Sequence, residues 1–197
     1  ELIPVLQHAK IESVAICFLH SYINSAHEQR VADILSTALP SLIIAQSSEV
    51  CPEIREYERM STTCANAYIQ PLMSRYLHKL EDGLAENGFT CPLLLMMSSG
   101  GITTVETAAC LPIRLVESGP AGGVIFSQRI ATECGVRQAL SLDMGGTTAK
   151  LTFIDDLKPQ YSRTFEVARQ YRFLKGSGLP IRVPVIDMLE IGAGGGS

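Results

Sequence analysis

The sequence has no tryptophan, few other aromatic residues and no apolar run long enough to cross a membrane. Aromatic residues make up 6% of the 197 residues and are not interleaved with basic ones, unlike the patches that bind nucleic acid. A membrane-spanning helix needs about 20 consecutive apolar residues, and no run approaches that length. We therefore expect neither a nucleic-acid partner nor a membrane partner.

Charge and paired cysteines are also scarce. The 16 Lys and Arg and 20 Asp and Glu residues give a net charge of −4, and the basic residues are scattered rather than clustered. The six cysteines contain no Cys-x-x-Cys pair, which favours free thiols in a cytoplasmic protein over a zinc site or a disulfide framework. The first residues do not resemble a signal peptide. Because the sequence begins without methionine and stops after a glycine run, we expect a piece of a longer protein.

Strands and helices are predicted to alternate in the first half. The predicted elements are a strand over 13–19, a helix over 27–39, a strand over 42–45, a helix over 61–84 and a strand over 92–97. The first strand–helix–strand unit predicts parallel strands. Ser61 or Thr62 is the expected cap of the long helix, and Gly83 and Gly88 are expected to end it.

The strand over 92–97 runs into a loop of two serines and two glycines. In open α/β sheets, ligands bind at the carboxyl ends of parallel strands. Ser98, Ser99, Gly100 and Gly101 are therefore candidates to line a substrate cleft. A plain strand-to-helix turn explains these four residues about as well.

The charged segment over 53–59 precedes the long helix. We interpret it as a solvated face or as an ion-pair network between domains. A weaker alternative is that Arg59 and Thr62 reach a substrate.

Residues 140–150, Leu-Ser-Leu-Asp-Met-Gly-Gly-Thr-Thr-Ala-Lys, form the most informative motif. An apolar strand ends on Asp143, turns through Gly145 and Gly146, and returns as a second strand, which predicts a hairpin. The two glycines allow backbone amides to approach phosphate oxygens, and Thr147 and Thr148 add hydroxyl donors. Asp143 is suited to hold a hydrated Mg²⁺ or to orient a water molecule. Taken alone, an ordinary hairpin with a capping aspartate fits the motif equally well.

A second motif, Glu-Ser-Gly-Pro-Ala-Gly-Gly over 117–123, precedes a predicted helix over 124–133. Its order relative to the hairpin is similar to the connecting segment and second phosphate loop of actin, the sugar kinases and the heat-shock chaperones. That similarity implies that Glu117 and Asp143 flank a polyphosphate and its Mg²⁺, with the metal held through water, and that Ser118 and Gly119 contact the nucleotide. Alternatively, Glu117 pairs with a neighbour and the glycines are packing sites.

Further blocks resemble the hydantoinase A / 5-oxoprolinase family, in the order in which that family carries them. These blocks lie at 14–21, 53–68, 98–101, 117–123, 143–148 and 191–197, and they cover almost the whole chain. The resemblance implies an internal fragment of the actin-like (ribonuclease-H-like) ATPase superfold, an α/β fold with a mixed sheet and flanking helices. A change in the character of the sequence near residues 111 and 112 separately predicts two parts. Residues 1–111 form an α/β part with the substrate-side loop and the long helix, and residues 112–197 form an incomplete second lobe with the connecting helix and the phosphate-binding hairpin.

The same resemblance implies an enzyme that uses ATP and Mg²⁺ to open a cyclic amide such as a hydantoin or 5-oxoproline, by phosphorylating the amide oxygen. It also implies a second hydantoinase-type subunit or domain as partner. Two alternatives stay open: a subunit of an acetone- or acetophenone-type carboxylase, and a non-catalytic scaffold switched by nucleotide. Residues 1–197 hold one side of the phosphate clamp, so they are expected to be inactive alone. Lys150 stands where the family usually carries an acid, which leaves a phosphate contact and a plain surface lysine as possible roles.

Overall fold

The structure is a computed structural model that describes residues 1–171, 174 and 176–196. Its helices are α1 (Leu2–His8), α2 (Ala26–Ala38), α3 (Ser47–Val50), α4 (Glu56–Glu86), α5 (Val105–Cys110) and α6 (Ser118–Glu133), with a 3-10 turn at Pro112–Leu115. Its strands are β1 (Ser13–Ile16), β2 (Ile43–Gln46), β3 (Leu94–Met96), β4 (Ile102–Thr104), β5 (Gln138–Met144), β6 (Ala149–Asp155), β7 (Lys158–Pro159), β8 (Tyr161–Ser162), β9 (Phe165–Val167), β10 (Leu179–Ile181), β11 (Val185–Ile186) and β12 (Leu189–Ile191). None of these helices has both the length and the apolar character to cross a bilayer.

The chain divides into two compact units, each made of three segments. The first unit contains Glu1–Leu93, Thr104–Ile113 and Thr164–Val183. The second unit contains Leu94–Thr103, Arg114–Arg163 and Pro184–Ser197. The division into 1–111 and 112–197 stays a prediction.

The first unit is built on the parallel pair of β1 and β2, which α2 connects. This confirms the predicted strand–helix–strand unit. Its core cluster consists of Ile16, Ala32, Leu35 and Leu42. The first strand ends at Ile16 rather than at residue 19. The backbone groups of Phe18 form hydrogen bonds with side chains and not with a neighbouring strand. The N–H of Phe18 donates to a glutamate and its carbonyl accepts from an arginine.

Helix α4 begins earlier and ends later than the sequence predicted. It starts at Glu56 rather than at Ser61 or Thr62. The hydroxyl of Thr62 donates to the carbonyl of Glu58, four residues back, which is how serine and threonine behave inside a helix. The helix also continues past Gly83, and the turn that follows it places Gly88 at φ +85°.

The second unit contains a four-stranded sheet in the order β5–β6–β12, with β7 also paired to β6. The antiparallel pairing of β5 and β6 confirms the predicted hairpin. Helix α6 packs on one face of this sheet through Ala121, Val124 and Ile154, in a cluster that also contains Ile186 of β11. That face positions the candidate site.

Candidate functional site

One row across the sheet of the second unit carries three charged residues beside the glycine turn. Asp143 on β5 lies opposite Lys150 on β6, and Lys150 lies opposite Glu190 on β12. Side chains directly opposite each other on neighbouring strands are in contact range. Ser141, two residues before Asp143, lies 3.0 Å from Ser127 of α6 (Oγ to Oγ). Because side chains alternate along a strand, Asp143 is on the face that α6 covers.

The first residues of α6 reach the same row through an ion pair. Glu117 is the N-cap of α6 and has φ 63°, a left-handed conformation that is uncommon for a residue with a side chain. Its Oε2 accepts from Nζ of Lys150. The same Nζ lies 3.9 Å from Oε1 of Glu190, and the Lys150 side chain is only 15% exposed. Lys150 therefore joins the start of α6 to two strands of the sheet.

Ser118 and Gly119 form the first turn of α6. The N–H groups at the start of a helix have no partner within it, and the helix dipole favours an anion there. Since Glu117 contacts Lys150, these N–H groups lie close to the charged row. An anion beside Asp143 and Lys150 would thus also be near the positive end of a helix.

The glycine turn between β5 and β6 is packed against a second glycine segment. The N–H of Gly145 donates to the carbonyl of Thr148 at 3.0 Å, which closes the turn. The N–H of Gly195 donates to the carbonyl of Gly145, and the N–H of Gly196 donates to that of Gly146. These bonds hold the turn in one conformation. They also occupy the carbonyl oxygens of the turn, whose partial negative charge would repel a phosphate.

Gly194 fits at this contact only because it lacks a side chain. A Cβ atom on Gly194 would overlap the backbone of Gly146 and Thr147. The neighbouring Gly195 is different, since the nearest atom to a Cβ there is the carbonyl oxygen of Gly145 at 4.0 Å. The sequence marked this run only as one of the blocks that resemble the family, so its contact with the turn was missed.

The structure brings together the two regions that the sequence named. Asp143 precedes the turn formed by Gly145, Gly146, Thr147 and Thr148, and Glu117, with Ser118 and Gly119 behind it, meets the neighbouring strand at Lys150. Glu117 does pair with a neighbour, as the alternative interpretation held, and that neighbour is in the same row as Asp143. The roles of these residues in binding a nucleotide stay predictions.

Glu190 was missed because its place depends on strand pairing that is distant in sequence. The register of β12 against β6 sets it beside Lys150. A three-residue strand that ends in a glycine run gives no local signal of its partner.

The loop Ser98–Gly101 has a packed, structural environment in the second unit. It is the turn between the paired strands β3 and β4, with the N–H of Met97 donating to the carbonyl of Gly101, and not a strand-to-helix turn. Ser98 is fully buried, and both its N–H and its hydroxyl donate to the carbonyl of Arg114. A Cβ atom on Gly100, which has φ +80°, would lie 2.6 Å from Cδ1 of Ile125. A contact of Ser98, Ser99, Gly100 or Gly101 with substrate stays a prediction.

Arg59 and Thr62 are buried in the first unit, so the prediction of a solvated face is wrong for Arg59. Its guanidinium donates to the Ser47 hydroxyl at 3.2 Å and to the carbonyls of Glu53 and Phe18, each at 2.9 Å. The Thr62 hydroxyl accepts from the N–H of Arg182 at 2.9 Å. These contacts account for both residues as parts of the fold.

The described residues contain no group of three or more His, Cys, Asp or Glu side chains placed to hold a metal ion. Asp143 is an exposed carboxylate, whereas the carboxylate of Glu117 is already paired with an ammonium group. Mg²⁺ keeps several waters and takes few protein ligands when phosphates supply the rest. The donor set therefore fits a hydrated cation beside Asp143 that arrives with its phosphates.

Comparisons with known proteins agree on one family. The chain matches the Hydantoinase/oxoprolinase family over residues 59–197 and the Hydantoinase/oxoprolinase N-terminal region over residues 1–39. An uncharacterized protein of Methanocaldococcus jannaschii is 38% identical over 200 residues, which cover all of this chain and 29% of that protein.

Two enzymes resemble the chain in structure as well. The caprolactamase subunit alpha of Pseudomonas jessenii is 33% identical over 99% of this chain and 27% of its own length. A crystal structure of the ATP-dependent caprolactamase from that organism gives a TM-score of 0.79 at 31% identity, with coverage of 99% of this chain and 27% of that one. A nucleotide-free structure of acetone carboxylase gives a TM-score of 0.78 at 25% identity, with coverage of 98% and 26%.

The family matches cover most of the chain, and the structural matches cover nearly all of it. The chain spans between a quarter and a third of the length of each of these relatives. It therefore belongs to the hydantoinase/oxoprolinase family and has the mixed α/β, actin-like ATPase fold of that family.

Proposed function

We propose that this chain is part of an ATP-dependent hydrolase that opens a cyclic amide of the hydantoin or 5-oxoproline type. The best support for this is that Glu117 forms an ion pair with Lys150 and that Asp143 lies opposite Lys150 on the neighbouring strand. Both acids therefore lie beside the start of a helix and a glycine turn that backbone hydrogen bonds hold in place. Such a combination of backbone amides, helix terminus and acid suits a polyphosphate and its metal. The family match supports the same reaction class.

The reaction needs ATP because an unstrained amide is a poor electrophile. Transfer of the γ-phosphoryl group to the amide oxygen breaks the bond to ADP and forms an imidate-like phosphate ester. Water then adds to the ring carbon, and the ring C–N bond breaks as the nitrogen takes up a proton, which leaves an acyl phosphate. A second water hydrolyses this acyl phosphate to the carboxylate and free phosphate. Catalysis of phosphoryl transfer is mostly positioning and charge stabilisation, which are the tasks that the proposed site residues can perform.

Each part of the site has a proposed role. The backbone amide of Gly146 and the hydroxyls of Thr147 and Thr148 would hold phosphate oxygens, while the N–H of Gly145 closes the turn at the carbonyl of Thr148. Asp143 would hold the water shell of Mg²⁺, which supplies positive charge to the phosphates when it is bound. Ser118 and Gly119 would offer helix N–H groups from the other side. Glu117 would orient the attacking group or metal-bound water while it remains paired with Lys150.

We further propose that the complete protein works in the cytoplasm with a second hydantoinase-type subunit or domain. The caprolactamase relative is named as a subunit, and the six cysteines of this chain are free thiols. Burial and the neighbouring Cys64 raise the pKa of the Cys17 thiol to about 11, so that thiol is protonated at neutral pH.

The assay that tests the function measures ATP hydrolysis by the complete protein with its partner. Addition of a hydantoin, 5-oxoproline or a larger lactam is expected to raise the rate of ADP formation well above the rate without substrate. One ring-opened product should form for each ADP, without bicarbonate. ADP formation that no cyclic amide accelerates would contradict the proposal.

A carboxylase subunit is the second candidate, because the acetone carboxylase structure superposes nearly as well as the caprolactamase structure. In that case ATP hydrolysis would require a ketone and bicarbonate together. A nucleotide-switched scaffold would bind ATP but respond to neither set of substrates. The same assay therefore separates all three functions.

The packing at Gly194 gives a prediction with a matched control. Gly194→Ala would push the backbone of Gly146 and Thr147 out of place, so we expect nucleotide affinity of the complete protein to fall about tenfold or more. Gly195→Ala has open space around its new methyl group and should bind within about twofold of wild type. Isothermal titration with a non-hydrolysable ATP analogue measures both. Equal affinities for the two variants would show that the glycine run does not support a nucleotide site.

A further inference from the structure

Lys150 is surrounded by three carboxylates, two of which it contacts. Glu117 accepts its hydrogen bond, Glu190 lies 3.9 Å away, and Asp143 is its neighbour across the hairpin. Among the described residues, the ion pairs of Glu117 and of Glu190 are both with Lys150. With one ammonium group and three carboxylates, this group carries a net charge of −2.

That charge conflicts with the proposed ligand. The phosphates of ATP are anions, and like charges a few ångströms apart repel each other strongly where water is partly excluded. Removal of the lysine charge would leave three unbalanced carboxylates beside the glycine turn. The ammonium group therefore has a clear electrostatic task even if it never touches a phosphate.

The geometry also indicates how Lys150 acts. Its side chain is 15% exposed, and its Nζ is directed to Glu117 at the start of α6 and to Glu190 on β12. We propose that Lys150 is a positioning residue of the nucleotide site, which holds Glu117 in place and offsets the carboxylates around the turn. It thus works through these carboxylates rather than as a direct phosphate contact. This inference rests on the proposed function, because it assumes that the turn receives a nucleotide.

Glu190 makes the inference testable, since it belongs to the charged row but has no part in the proposed chemistry. If Lys150 balances charge, removal of the Glu190 charge should compensate for the loss of the lysine. If Lys150 contacts phosphate directly, the loss of that contact cannot be restored from Glu190. In that case the effects of Lys150→Gln and Glu190→Gln on the free energy of nucleotide binding would be additive, whereas the effects of coupled residues deviate from additivity.

The experiment is a titration of the complete protein with a non-hydrolysable ATP analogue at low salt. Lys150→Gln is expected to weaken binding by about fivefold to tenfold. The Lys150→Gln/Glu190→Gln double variant should bind about threefold or more tighter than Lys150→Gln, because it restores the charge balance, while the part of the loss that comes from holding Glu117 in place remains. Lys150→Arg, which keeps the charge, should stay close to wild type. Unchanged affinity in Lys150→Gln, or a double variant as weak as the single one, would overturn the inference.

Glu190→Gln alone keeps the test decisive if Lys150→Gln fails to fold. It leaves Lys150 and Glu117 intact, and we expect it to bind the analogue about twofold more tightly at low salt. That gain should disappear at high salt, because mobile ions screen the repulsion. No gain at low salt would overturn the inference. If the wild-type protein binds no nucleotide, the proposed function fails as well, whereas wild-type binding with no effect at Glu190 removes only the role of Lys150.

Discussion

Replacement of Asp143 by asparagine in the complete protein is expected to lower substrate-dependent ATP hydrolysis by about 10²- to 10³-fold. Asparagine has the same shape and can still cap the strand end, but it carries no charge. If Asp143 holds the water shell of Mg²⁺ next to the phosphates, the loss of the Asp143 charge weakens the binding of this cation. The negative charge that develops on the phosphate oxygens during phosphoryl transfer is then less stabilised. The variant should also need more Mg²⁺ to reach its maximal rate.

Asp155 supplies the matched control for this prediction. It is an exposed aspartate at the far end of the same hairpin, where its carboxylate accepts a hydrogen bond from Gln138 at 3.0 Å. Asp155→Asn should hydrolyse ATP at a rate within about twofold of wild type. Steady-state kinetics with varied ATP and varied Mg²⁺ measure both variants. A loss of less than threefold in Asp143→Asn would mean that this residue is an ordinary hairpin aspartate.

The hairpin and the parallel pair were predictable because their signals are local. Apolar residues flank Gly145 and Gly146 on both sides, so a turn with two strands was the simplest arrangement. Cross-strand neighbours such as Asp143 and Lys150 then follow from the length of the turn. The contact between Glu117 and this hairpin could be predicted only with the help of the family resemblance. No periodic pattern in the sequence indicates that a helix N-cap lies beside a strand that follows the helix.

The rest of the charged row could not be predicted from local pattern. Glu190 reaches Lys150 through the pairing of β12 with β6, and the sequence between these strands contains several short strands with other partners. A charged residue on a short strand is most often exposed to water. Glu190 is also exposed, and only the register of the assembled sheet shows that it lies beside Lys150.

The buried charges of the first unit show the same limit. Glu28 and Arg59 are polar residues in helices α2 and α4, and their sequence context is typical of a helix surface. In the structure they are 0% and 1% exposed, with the Ser47 hydroxyl between them. Burial of this kind depends on complete hydrogen bonding by partners that are distant in sequence. Local sequence therefore underestimates how many charged residues a core can hold.

Replacement of Arg59 by methionine is expected to destabilise the first unit by about 3 to 5 kcal/mol. Methionine fills much of the space of the arginine stem but leaves the carbonyls of Phe18 and Glu53 without their donor. It also removes the cation that lies 5.3 Å from the ring centroid of Tyr22. Native-state amide exchange in α4 of the complete protein measures the free energy of opening for this part of the chain.

Arg55→Met is the control for this loss. Arg55 lies one turn earlier in the sequence, its side chain is 68% exposed, and it forms an exposed ion pair with Glu58. Such pairs contribute little to stability, so a change of about 0.5 kcal/mol or less is expected. If the two arginine variants have equal stability, the bonds of Arg59 are not stabilising the first unit.

The pH dependence of stability separates the charge of Glu28 from its packing. Burial would raise the pKa of the Glu28 carboxyl, but the hydrogen bonds from Ser47, Phe18 and Ser48 outweigh burial and hold that pKa below its ordinary value. A carboxyl with a lowered pKa in the folded state contributes stability that is fully present above its ordinary pKa of about 4.5. That contribution is lost as the pH falls through the lower, folded-state pKa.

Glu28→Gln should therefore be less stable than wild type by about 2 to 3 kcal/mol at neutral pH, because an amide N–H₂ group would face the donors that now bond the carboxylate. The difference should shrink steadily below about pH 4.5, since the wild-type carboxylate then takes up a proton and loses its charge as well. Amide exchange or urea unfolding at several pH values between about 3 and 7 measures this difference. A gap between the two proteins that stays constant across this range would mean that Glu28 acts through its shape and hydrogen-bond count, and not through its charge.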